Sequence, residues 1–151
     1  MKKARLAAES RSHLDERFRE LGPAKRYTPP VRGWIKALRG ALGMSTAQLS
    51  KRLGIKQPSL VALEQSEEKG TIELATLRRV AAALDCTLVY ALVPHKPLET
   101  TLRDQARAFE RRRRGPVEHS MSLEDQQVTA KDAERRLDEI MRETNPRLFW
   151  D

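Results

Sequence analysis

The sequence contains a single cysteine, Cys86, so it can build neither an internal disulfide framework nor a multi-cysteine zinc site. The simplest role for Cys86 is that of a small buried residue. Histidine is almost as scarce: His13, His95 and His119 lie in a charged helix or in loops, with no ligand or base spacing between them. A glycine-rich phosphate cradle is missing, and so is a nucleophile motif. Catalysis is therefore not expected, and neither is a cofactor or a metal. No apolar run approaches the ~20 residues that span a bilayer. The first twenty residues, MKKARLAAESRSHLDERFRE, carry charge but no apolar region or cleavage site, which speaks against a secretory signal. A cytoplasmic protein is the simplest expectation. Internal repeats are lacking, as is any low-complexity tract beyond four consecutive arginines.

What the 151 residues do have is charge: 33% are ionic against 39% hydrophobic, with a net charge of +8 and a pI near 10.1. The core must be modest. Residues 1–32 hold 9 basic and 4 acidic side chains, and residues 33–94 hold 8 and 5. Residues 95–151 hold 12 of each, with 95–114 basic and 115–151 acidic. The basic excess thus sits in the first two thirds and in Arg111–Arg114. Such a field attracts nucleic acid. The arginine run has an equally good reading as a solvated helix end, where the helix dipole favours cations.

Hydrophobic periodicity predicts a mainly α protein. Residues 1–22 form an N-terminal helix with Leu6, Leu14, Phe18 and Leu21 as a sparse stripe, ended by Gly22-Pro23. The proline-rich residues 23–32 read as an extended linker. A helix-turn-helix domain then occupies 33–94. Trp34, Ile35, Leu38, Ala41 and Leu42 mark the inner face of its first helix, with Lys36 and Arg39 outside. Ser45 caps a second helix carrying Leu49 and Leu53 inward. Leu60 and Leu63 belong to a third, and Leu74, Leu77, Val80, Ala81 and Leu84 to a fourth. Cys86 to Pro94, CTLVYALVP, is β-branched, short and stopped by proline, which predicts one short strand. Its unpaired edge would be satisfied by a symmetry mate or by the linker near Tyr27. Residues 95–151 form a C-terminal helical extension, with helices over 98–114 and 123–143. The final NPRLFWD, with Phe149 and Trp150, is apolar enough to fold back into a groove or to act as a docking peptide.

The most informative stretch is STAQLSKRLGIKQPSLVALEQ, Ser45 to Gln65. One helix stops at Gly54 and another resumes within three residues despite Pro58. Ser50 is small enough for two helices to meet, and Gly54 tolerates an unusual backbone. Pro58 falls in the first turn, where its missing N–H costs nothing. A joint this short holds the second helix at a fixed angle. With Leu60 and Leu63 inward, its outer face is Lys56, Gln57, Pro58, Ser59, Val61, Ala62 and Gln65. Glutamine can pair with adenine, lysine can reach guanine or phosphate, and Val61 or Ala62 can touch a thymine methyl. Thr46, at the start of the preceding helix, is placed for a phosphate.

These residues resemble the Xre/Cro-repressor helix-turn-helix family over 33–84. More closely, PPVRGWIKALRGALGMS, the stretch from QLSKRLG to YALVP, and PRLFWD resemble the small Xre-type regulators called mobile mystery protein A, which are encoded beside a Fic-domain partner. The resemblance implies a lambda-repressor-like bundle and an antitoxin-like repressor. It assigns base contacts to Gln57, Pro58 and Ala62 and phosphate contact to Thr46. Pro58 and Ala62 replace polar side chains often found there, so DNA shape should carry part of the specificity. Helices that inhibit Fic enzymes resemble Ser/Thr-x-x-x-Glu followed by Gly or Asn. Here Ser12/Glu16 and Ser120/Glu124 have the spacing, but Arg17 and Asp125 follow them. The expected function is therefore sequence-specific binding of double-stranded DNA by a homodimer on a palindromic operator, repressing its own operon. The alternative is an adaptor that neutralises a partner through its terminal helices without reading DNA.

Overall fold

The structure is a computed structural model that describes residues 2–115 and 130–151. Among these the protein is mainly helical. The elements are α1 (Lys2–Leu21), α2 (Trp34–Ala41), α3 (Thr46–Leu53), α4 (Gln57–Glu68), α5 (Leu74–Ala83), α6 (Leu98–Arg114) and α7 (Ala130–Glu143). Short 3-10 turns occupy Ala24–Tyr27 and Pro146–Trp150. The chain divides into two compact units: Pro23–Leu92, and Met1–Gly22 together with Val93–Asp151. Residues 123–129 of the expected last helix lie outside the described residues, as do His119 and the Ser120/Glu124 pair.

In the unit Pro23–Leu92, Ile35, Leu49, Leu60, Val80 and Leu84 form the core, with Leu38, Leu53, Ile55, Leu63 and Leu77 packed against it. Helices α2 to α5 each supply part of that core because each keeps apolar residues on one face. Four residues expected inside face water instead: Trp34, Ala41, Leu42 and Leu74. Helix α2 has only two turns, and its buried stripe is narrowed to Ile35 and Leu38.

The short strand expected over Cys86–Pro94 is not formed. No strand occurs among the described residues, and these residues have no regular structure. A strand exists only by pairing, and the candidate neighbour, the linker, is bent into the turn at Ala24–Tyr27 rather than running fully extended. Cys86 is half-buried against the core.

In the other unit α6 is the central element, packed by α1, α7 and the C-terminal turn. Pro97, at the N-cap of α6, has no side-chain acceptor, and α1 supplies one. Asp15 Oδ1 and Oδ2 accept from the backbone N–H groups of Leu98 and Glu99 at 2.7 and 3.2 Å. Arg11 adds an ion pair to Glu99 at 2.9 Å. Arg103 reaches Glu134 and Asp138 on α7, and Arg107 reaches Glu134. Hydrogen bonds from Arg107 and Arg103 hold the Glu134 carboxyl below the usual carboxylate range. The core is Leu102, Ala106, Leu137 and Phe149.

The tail therefore folds back. Asn145 caps its turn by accepting from Arg147 N–H, and Phe149 is fully buried, its ring centroid 5.4 Å from that of Phe109. Leu148 and Trp150 stay exposed. Removing a buried Phe side chain costs about 3–5 kcal/mol through lost transfer energy and the cavity left behind. Phe149→Ala should lower the stability of this unit by that amount in chemical denaturation; an unchanged transition would show that the tail is not part of the core.

Candidate nucleic-acid interface

Helix α3 starts with a reciprocal cap. Ser45 Oγ accepts from Gln48 N–H at 3.2 Å, and Gln48 Oε1 accepts from Ser45 N–H at 2.7 Å. It ends at Gly54, whose φ of 67° lies in the left-handed region. The amides of Gly54 and Ile55 then donate to the carbonyls of Lys51 and Ser50 at 3.2 and 3.0 Å. Ile55 turns into the core, and α4 begins at Gln57 with Pro58 in its first turn. Ser50 is 4% exposed and satisfies its hydroxyl by donating to Ala47 O. The close approach of α3 and α4 is thereby made without an unpaired polar group.

Two carboxylates on α4 fix its direction. Glu64 lies one turn beyond Leu60 on the buried face and is itself 7% exposed. It pairs with Arg39 of α2, with Nε to Oε1 at 2.7 Å and the second guanidinium nitrogen to Oε2 at 3.3 Å. Arg39 also donates to Met44 O at 3.1 Å. Glu67 caps α2 from outside: its Oε1 and Oε2 accept from Trp34 and Ile35 N–H at 2.7 and 2.9 Å. The N-cap residue of α2 is Gly33, which has no side chain to do this. A Cβ there would meet Glu67 Oε2 at 2.6 Å, and its φ is +85°. Glycine is required on both counts.

Lys56, Gln57, Pro58, Ser59, Val61, Ala62 and Gln65 are exposed, and Thr46 is half-buried. Thr46 and Gln57 come together: the Gln57 amide nitrogen donates to Thr46 Oγ1 at 2.6 Å. The bond leaves Gln57 Oε1 and one amide hydrogen free, and leaves the Thr46 hydroxyl its own proton to donate. Val61 and Gln65 line a crevice of about 310 Å³ together with Arg32, Lys36, Glu64 and Glu68. Neither cation is among the contacts expected from the sequence, where their signal is a basic pair flanking Gly33. Arg39, expected on the outer face, is turned inward. Its signal was Glu64 itself, since a carboxylate on a buried face needs a cation.

Pro23–Leu92 carries 11 basic and 5 acidic side chains, a net +6. Arg39 and Glu64 cancel, and Glu67 is taken up by backbone N–H groups, so the outer surface is more positive than an even spread would give. The Arg111–Arg114 run belongs to the other unit and has internal partners there. Arg112 donates to Phe149 O, Arg113 lies over the Phe109 ring and Arg114 pairs with Glu110.

Residues 35–90 match a family model described as helix-turn-helix, of the Xre/lambda-repressor-like kind. The segment is thus an Xre-type helix-turn-helix domain, a fold of DNA-binding regulators and not usually of enzymes. No curated protein and no solved structure matches the chain. No helix among the described residues is long and apolar enough to cross a membrane.

Breaking a buried ion pair by removing one partner costs about 3–5 kcal/mol, whereas replacing both by apolar groups is often nearly neutral. Arg39→Ala should destabilise the helix-turn-helix unit by that amount in chemical denaturation. Arg39→Met with Glu64→Leu should recover most of it, and no difference between the two variants would contradict the pairing.

Proposed function

We propose that the protein is a sequence-specific repressor that binds double-stranded DNA as a homodimer on a palindromic operator, with α4 as the recognition helix in the major groove. The observation that carries this reading is the Thr46–Gln57 pair on the exposed face of a unit with a net charge of +6. An adenine edge offers an N6 donor and an N7 acceptor. Gln57 can meet both with Oε1 and its remaining N–H while Thr46 holds the amide plane. Thr46 then directs its own proton at a backbone phosphate near the start of α3, where helix N–H groups also point. Lys56 reaches guanine or phosphate, Val61 and Ala62 cover a thymine methyl, and Pro58, Ser59 and Gln65 fill the contact. Arg32 and Lys36 beside Gln65 neutralise phosphates on the flank.

On this reading residues 33–94 read DNA, while 1–22 and 95–151 serve the regulator's other contacts. The resemblance to mobile mystery protein A supports, beyond this, a cytoplasmic autoregulator of a toxin-antitoxin-like operon with a Fic-domain partner. Control would run through repression, or through a different contact, rather than through an inhibitory glutamate, because Arg17 follows Glu16 and Asp125 follows Glu124 where glycine or asparagine is needed.

Gln57→Ala removes base-edge hydrogen bonds and should weaken operator binding by about 1–3 kcal/mol at one base position per half-site. Binding to random DNA should hardly change. Titrations of both DNAs at one salt concentration check this; an unchanged ratio of the two affinities would mean that α4 does not face the bases as proposed.

A further inference from the structure

Several cations of the unit formed by Met1–Gly22 and Val93–Asp151 are spent inside it. Arg11, Lys96, Arg103, Arg107 and Arg114 each face a carboxylate. Lys3, Arg142 and Arg147 are exposed instead, and they form no ion pair among the described residues. All three line one cleft of about 990 Å³. Lys3 comes from α1, and the arginines come from the corner where α7 gives way to the C-terminal turn. Ala4, Ala7, Asn145 and Pro146 also line it, and Glu143 is its one carboxylate.

Local preferences account for only one of these cations. Arg142 stands in the last turn of α7, where the helix dipole favours it, and its Nε donates to Asp138 O at 3.2 Å. Lys3 stands in the first turn of α1, where the dipole opposes it and no acidic residue offsets it. Arg147 sits in the C-terminal turn, its side chain bonded to nothing among the described residues.

We propose that this cleft holds the sugar–phosphate backbone of double-stranded DNA, a contact separate from α4 that carries no sequence information. The choice of DNA rests on the DNA-binding reading above. Three unpaired cations against one carboxylate call for an anion. Asn145 adds donors: its Oδ1 accepts from Arg147 N–H at 3.1 Å, which leaves both amide hydrogens for a phosphate oxygen. Ala4 and Ala7 keep the α1 wall low and apolar, which suits the sugars between phosphates. Exposure selects a polymer over a small phosphate ester. Every lining residue except Thr144 and Pro146 is exposed, so the cleft is an open trough. Small ligands are mostly enclosed.

Titrations of the full chain with the DNA upstream of its own gene and with a random duplex, over a range of salt, test this. Each neutralised phosphate contributes about 0.9 to the slope of log affinity against log salt. Replacing Lys3, Arg142 and Arg147 by alanine should flatten that slope by about 2–3 per cleft engaged. With one cleft engaged, a fourfold rise in salt then costs this variant about 40-fold less affinity than it costs the wild type. Both DNAs should be weakened alike. Arg17→Ala with Arg19→Ala and Arg136→Ala removes the same charge from exposed positions outside the cleft and should leave the slope nearly unchanged. Ala4→Glu keeps all three cations but sets a carboxylate among them at an exposed helical position. It should also flatten the slope, which keeps the test open should the triple variant lose its fold. An unflattened slope in the folded cleft variants, or equal flattening by the outside triple, would overturn the proposal. Tripolyphosphate binding that Ala4→Glu abolishes, with an unchanged DNA slope, would give the cleft to a free phosphate instead and overturn it too. The repressor reading fails separately: flattening without any preference for the upstream DNA refutes that reading alone. That preference with an unflattened slope refutes the cleft alone, and a chain that binds neither duplex refutes both.

Discussion

Glu64 and Glu67, one turn apart on α4, grip α2 at two points. One takes the buried Arg39 guanidinium, and the other takes the first N–H groups of α2. Apolar packing alone has little directional preference, and a helix seated only on Leu60 and Leu63 could roll or slide. Charge-assisted hydrogen bonds at 2.7–2.9 Å do not allow that. The outward face of α4 has a defined direction because its inward face is held by carboxylates, and the Gly33 backbone is shaped to admit one of them. The other unit uses the same device. Asp15 of α1 caps α6, whose own N-cap is a proline.

The same contacts organise the electrostatics. A protein with 21 acidic residues repels DNA wherever those residues face it. In Pro23–Leu92, Glu64 and Glu67 are taken into the structure, while Lys56, Arg32 and Lys36 remain beside the exposed positions of α4. The arginine run, the most conspicuous basic feature of the sequence, is mostly occupied by its own unit. On the proposed function, long-range attraction comes from the helix-turn-helix unit, and base discrimination from a small set of side chains led by a glutamine that threonine pre-orients.

Much of this was legible because it is local. Ser45, Gly54 and Pro58 each report a backbone requirement within a few residues, and they located the α3–α4 joint and the exposed face of α4 without reference to the rest of the chain. What stayed hidden depends on residues far apart in sequence. Arg39 on α2 looks like a solvent residue until Glu64, 25 positions later, is placed beneath it. Glu67 looks like part of a polar loop until Gly33 is seen to need a cap. Trp34 and Leu74 fit a helical stripe by spacing, yet α2 and α5 are too short to bury every member of it. The strand failed for a related reason: β-branched residues describe a preference, whereas a ladder needs a second edge, which the described residues do not supply. The tail was readable in outline, since large apolar groups are seldom left in water, but its seat against Phe109 depends on α6.

The central claim is that α4 reads the bases of an operator near this protein's own gene. Footprinting of the full chain on the DNA upstream of that gene tests it most directly. The account predicts a protected palindrome whose half-sites lie about 34 Å apart, one turn of the duplex. Uniform, weak and strongly salt-dependent binding with no protected site would contradict it, and would favour an adaptor that meets its partner through the terminal helices.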